Sequence, residues 1–197
     1  MNTRSGAVWA LPLSLLLSAC DSSSVSGCLG PLCFIGSNNS DCNDIGHCLC
    51  PAAHDLDLDL AQALSDLRNS ARQCGNVFNA SAPAMSWNAT LDAAATDHAD
   101  DMRAFGFTDP IGSDGLSVAN RVAAVAPLGF RYDQTLVQLV ADGEPSLDRV
   151  LDHWLATPAS CNSLMSTNLS HAGIACAGNS SVIAREVNRW SLVLGGE

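Results

Sequence analysis

Few side chains in this sequence could do acid–base or metal chemistry near neutral pH: His47, His54, His98, His153 and His171, together with nine Cys. Imidazole and thiolate bind metals and move protons, but only where several of them converge. His98 stands in Asp97-His98-Ala99-Asp100-Asp101, and Asp109 and Asp114 follow closely. One reading is a relocated hydrolytic site, with His98 as base beside the carboxylates of Asp109 and Asp114. The favoured reading makes His98 a core imidazole held by a hydrogen bond, because it falls on the apolar stripe of a helix. By the same logic, Asp109 is a solvated loop carboxylate. His153 precedes Trp154, but its helical phase points it to the surface. His47 and His54 have no ligand set around them, and His171 opens a strand without an evident partner. No Gly-x-Ser-x-Gly element occurs, and Ser160 has no neighbouring base in sequence.

The Cys residues read as structural. Arg4 and the short apolar run from Ala7 to Leu17 form an export leader too short to span a bilayer. The run ends in Leu17-Ser18-Ala19-Cys20, which resembles the bacterial lipobox, in which the Cys is lipidated and cleavage falls just before it. A plain signal peptide cut near Ala19 is the competing reading. Setting Cys20 aside leaves an even number of Cys, as a disulfide framework in an exported chain requires. Their spacings do not form the two Cys-x-x-Cys pairs of a zinc site. Cys28, Cys33, Cys42, Cys48 and Cys50 cannot all pair among themselves, so at least one must reach the later chain, where Cys176 is the candidate.

The formal net charge is −11, and all nine basic residues are Arg. Such a chain repels phosphate backbones and anionic headgroups, so neither nucleic acid nor a basic membrane patch is expected. At 197 residues with 47% apolar composition, it can build one core of ordinary size. Three segments follow: 1–19 as leader, 20–54 as a Cys-rich tether too polar for a core of its own, and 55–197 as the folded domain.

Positioning falls to the elements of that domain. Leu56, Leu60, Leu64 and Leu67 recur at helical spacing, with Arg68 and Arg72 among more polar positions, predicting a helix that ends near Cys74-Gly75. Asn88 caps a second helix running to about Phe105, with His98 on its buried stripe. A loop covers Pro110 to Gly115, a short helix Leu116 to Ala126, and a fourth helix opens at Pro145 and ends at Pro158. Strands are predicted at Thr135 to Val140, His171 to Cys176, Val182 to Ala184 and Trp190 to Leu194. Helices first and strands later indicate α+β layers rather than a doubly wound sheet.

The order of motifs carries a resemblance. Asn69-x-x-Arg72 precedes Cys74-Gly75, then Met85-Ser86-Trp87-Asn88, Leu91, Ala94-Ala95 and His98-Ala99. Gly112-Ser113-Asp114-Gly115, Arg121, Trp154-Leu155, Cys161-x-x-Leu164-Met165 and Gly173-Ile174-Ala175 follow. From about Leu56 to Gly195 the chain resembles the bacterial branch of the CAP superfamily, the SCP-type domain. The resemblance implies a three-layer α-β-α sandwich, a Cys74–Cys161 disulfide, and a cleft lined by two His and one or two Glu that sometimes holds a divalent metal. Here Pro110 stands at the first His, and aligning on Gly143 puts Gln138 at the Glu. Ser160 stands at the second His. Neither Gln nor Ser titrates near neutral pH or binds zinc well, so no metal and no cofactor are expected. What is expected is a lipid-anchored envelope protein that binds a small molecule or an envelope partner without catalysis.

Overall fold

The computed structural model describes residues 28–29, 32–33, 50, 53–127, 135–178 and 187–196. The chain forms two units, Met1–Gly36 and Ser37–Glu197. In the first, β1 (Cys28–Leu29) pairs with β2 (Leu32–Cys33), placing Cys28 opposite Cys33 in register.

The second unit opens with α1 (Ala53–Arg68), whose Leu56, Leu60 and Leu64 are all buried. The apolar periodicity predicts a helix reaching Cys74; the structure ends it at Arg68. Asn69 and Ser70 are weak helix formers whose side chains compete for backbone groups. A hairpin follows, β3 (Arg72–Cys74) against β4 (Val77–Asn79). Gly75 turns it at φ +60°, a conformation glycine adopts without strain. Cys74 is thereby buried and bonded to Cys161, the pairing that the resemblance implies.

The two-residue strand β5 (Ser86–Trp87) leads into α2 (Ala89–Phe105). Asn88 caps α2 as expected, accepting from the amides of Thr90 at 2.9 Å and Leu91 at 3.2 Å. The next helix, α3 (Val118–Val125), starts two residues later than its apolar run, because Ser117 takes the cap position and its amide donates to Asn120 Oδ1 at 3.1 Å. The chain continues through β6 (Thr135–Asp142) to α4 (Leu147–Ala156). Pro158 ends α4 as expected and also opens a further helix, α5 (Pro158–Leu164), where a missing N–H is no loss. The last strands are β7 (His171–Ala177) and β8 (Arg189–Gly196). The strand expected at Val182 to Ala184 lies outside the described residues.

The main sheet has the order β5-β7-β8-β6, with β8 antiparallel to both neighbours and β5 parallel to β7. Alternation along the strands gives it two apolar faces. Trp190, Leu192, Leu194, Ile174 and Leu139 pack against α1 and α4. Val193, Ala175 and Ala177 pack against Leu91, Ala94, Ala95 and Ala99 of α2 and Val122 of α3. The fold is therefore α+β, a three-layer α-β-α sandwich, as expected. Gly173 permits the closest approach of α2: a Cβ there would lie 2.1 Å from the Asp92 amide nitrogen. Cys50 bonds to Cys176 on β7, so one of the five early Cys does reach the later chain, at the position expected.

Candidate functional site

The polar groups on the α2–α3 side of the sheet meet beneath the loop between those helices. His98 is fully buried, and its Nε2 lies 2.8 Å from the Asp109 carbonyl oxygen. Since a carbonyl only accepts, Nε2 carries the proton and donates. Nδ1 is buried without a hydrogen-bond partner among the described residues. Burial holds the His98 pKa below its ordinary value, and the nearby Arg121 charge adds to that effect. The ring packs edge-on to Phe107 at 6.1 Å between centroids. This is a neutral imidazole with one nitrogen engaged and the other sealed from solvent.

Arg121, on α3, does most of the joining. Its Nη1 donates to the Leu116 carbonyl at 2.7 Å, and its Nη2 to the Pro110 carbonyl at 2.7 Å and to Gln138 Oε1. Gln138 then donates from Nε2 to Ser191 Oγ at 3.0 Å, on the neighbouring strand β8. Burial lowers the Arg121 pKa, while Asp114 and Asp101 oppose that shift. Asp101 accepts from the amide of Ser113 at 2.8 Å and from its hydroxyl at 2.5 Å. Burial pushes the Asp101 carboxyl up, but the two Ser113 donors, with the Arg121 charge, outweigh it and hold the pKa low. Asp109 and Asp114 each close their own turn, accepting from the amides of Ile111 at 2.8 Å and Leu116 at 2.9 Å.

The structure thus gathers His98, Asp109, Pro110 and Gln138, and leaves Ser160 elsewhere. Pro110 is exposed and contributes only its carbonyl. Ser160 is half-buried on α5, beside the cluster of Cys74, Cys161 and Met165 that packs on Leu67 and Leu155. Its helix contributes Cys161 to that cluster, and none of the hydrogen bonds above reaches Ser160. A divalent ion does not fit what remains: the Gln138 amide is used on both sides, the Pro110 side chain has no ligand atom, and its carbonyl is taken by Arg121. Among the described residues no group of three His, Cys, Asp or Glu could hold a metal. His153 sits on the surface, 3.1 Å from Glu144. His171, expected without a partner, has Ser170 Oγ 2.9 Å from its Nδ1.

Two features escape a sequence reading. Arg68, placed among the polar positions of α1, is fully buried and donates to the carbonyls of Pro83, Leu164, Ser166 and Leu169 at 2.6–3.1 Å. The one signal for it in the sequence is its phase, four residues beyond Leu64. Between α1 and α4 lies an open groove of about 660 Å³, floored by Leu56, Ala63, Leu67, Leu147, Leu151 and Leu155.

The profile of the cysteine-rich secretory protein family, CAP, matches residues 65–192. The chain belongs to that family. Among solved structures it is similar to an outer surface protein from Borrelia burgdorferi, with TM-score 0.57 and 15% identity over 76% of this chain and 98% of that one. An extracellular protein containing an SCP domain from Bacillus anthracis matches with TM-score 0.52 and 15% identity over 74% of this chain. A cysteine-rich secretory protein from Staphylococcus aureus matches with TM-score 0.51 and 12% identity over 77%. The chain covers 43% and 42% of the length of those last two. At these identities the likeness is one of fold. Among curated proteins, none matches.

Proposed function

We propose that this CAP-domain protein is exported, anchored to the cell envelope by a lipid on Cys20, and binds a ligand or partner without catalysis. The carrying observation is Arg121: its guanidinium joins Leu116 to Pro110 and Gln138, two positions at which the resemblance puts pocket residues. The positions His98, Asp109, Pro110 and Gln138 then hold loop and sheet together. Binding falls to open surfaces such as the α1–α4 groove, whose volume lies in the range of ligand sites. Export is supported by the lipobox-like end of the leader and by two disulfides among the described residues, bonds that persist in oxidising compartments. Structural neighbours described as outer-surface and extracellular agree with it. Residues 20–54 serve as the tether, tied to the 55–197 domain through Cys50.

Calorimetric titration of the purified chain with Zn²⁺, Mn²⁺ and Mg²⁺ tests the reading. No stoichiometric binding is expected. A one-to-one metal site abolished by His98→Ala overturns it.

A further inference from the structure

The α1–α4 groove carries a charge pattern that its apolar floor does not require. Asp59 and Asp66 on α1 and Asp148 and Asp152 on α4 line it, against Arg72 as the one cationic lining residue among those described. Asp59, Asp66, Asp148 and Asp152 are exposed, and Arg149 approaches Asp152 only to 3.9 Å across an exposed pair. From Leu56 to Leu67 the floor follows α1 for about 16 Å, roughly three helical turns. Two helices with an apolar trough between them offer a third helix the ridges and grooves it needs to pack.

We infer that this groove docks an amphipathic helical segment of a partner protein, with Lys or Arg flanking the apolar stripe that meets Leu147, Leu151 and Leu155. Charge complementarity selects this occupant. Carboxylates on both walls repel an acyl chain with an anionic head. A second copy of this chain brings its own net charge of −11. The inference rests on the chain being a binding module and specifies what it binds.

The probe is a Leu/Lys peptide of about 14 residues, roughly four turns, with Leu at i, i+3, i+4 and i+7. Its binding to the purified chain is followed by fluorescence anisotropy, with a Leu/Glu peptide of the same pattern as control. The Lys peptide binds and the Glu peptide does not. The exposed triple variant Asp59→Asn, Asp66→Asn, Asp152→Asn keeps its melting temperature and loses about tenfold in affinity, as does the parent in high salt. Ala63→Phe, which fills the floor, weakens binding of the same peptide. Absence of binding, equal binding of both peptides, an affinity unmoved by the triple variant, or tighter binding of a neutral or anionic acyl chain overturns the inference. So does self-association of the chain that Ala63→Phe abolishes. Metal titrations of the same sample test the binding-module reading separately, so a failed peptide and a failed reading are told apart.

Discussion

Arg121 on α3 and Gln138 on β6 are joined by a hydrogen bond from Nη2 to Oε1, and the same nitrogen holds the Pro110 carbonyl. One guanidinium thus fastens both ends of the loop over α2 to the sheet. Arg121→Met keeps much of the side-chain volume but leaves three buried or half-buried acceptors without a donor. At about 1–3 kcal/mol for each unsatisfied group, partly recovered by water, the loss in urea denaturation should be about 3 kcal/mol. Amide exchange in residues 110–116 should rise with it. A loss below about 1 kcal/mol would mean that solvent replaces the guanidinium and that the clamp is not structural.

Arg68 makes a parallel prediction at the other layer. Four carbonyls from two separate stretches of chain converge on it. Lys carries the charge but not the planar fork, so Arg68→Lys should fail to restore what Arg68→Ala removes. Both variants should lose about 3–5 kcal/mol or fail to fold, as for a buried charge network cut on one side. Wild-type stability in Arg68→Lys would contradict this.

The stability of the domain should fall as pH rises from about 4 to about 7, through Asp92. Its pKa is raised to about 6, by burial first and then by the adjacent Asp57 carboxyl, while the Trp87 and Ile174 hydrogen bonds pull the other way. The folded state therefore holds a proton that the unfolded chain releases near pH 4. That stabilisation is complete below pH 4 and gone above pH 6. Discounted for partial exposure, it amounts to about 1.5 kcal/mol. Asp92→Asn keeps an acceptor for the Ile174 amide and gives Asp57 a donor. It should melt higher than the parent at pH 7.5 and no higher at pH 4; the reverse order at the two pH values would refute the assignment.

Lipidation makes a localisation prediction. Cys20→Ser should move the protein from the membrane fraction to the soluble extracytoplasmic fraction, without the mass of a diacylglyceryl group. A parent chain already soluble and unlipidated would support the plain signal peptide instead.

The sequence determined the elements whose causes are local. The Asn88 side chain caps the helix that it precedes, the Leu stripe defines α1, and Pro158 stops α4. Five Cys between residues 28 and 50 required at least one bond to the later chain, and Cys50–Cys176 is such a bond. The ordered motifs resembled the CAP family closely enough to place the sandwich and Cys74–Cys161. Tertiary structure decided which polar groups are buried. Arg68 finds acceptors up to 101 positions away, Gln138 finds Ser191 at 53, and Asp92 meets Asp57 from another helix. It also placed Ser160 on α5 next to Cys161, outside the hydrogen bonds that join Arg121, Pro110 and Gln138. Periodicity reports which face of an element is apolar. It does not report which distant carbonyl or carboxylate will meet a polar side chain, and burying that side chain is tolerable only where such a partner arrives.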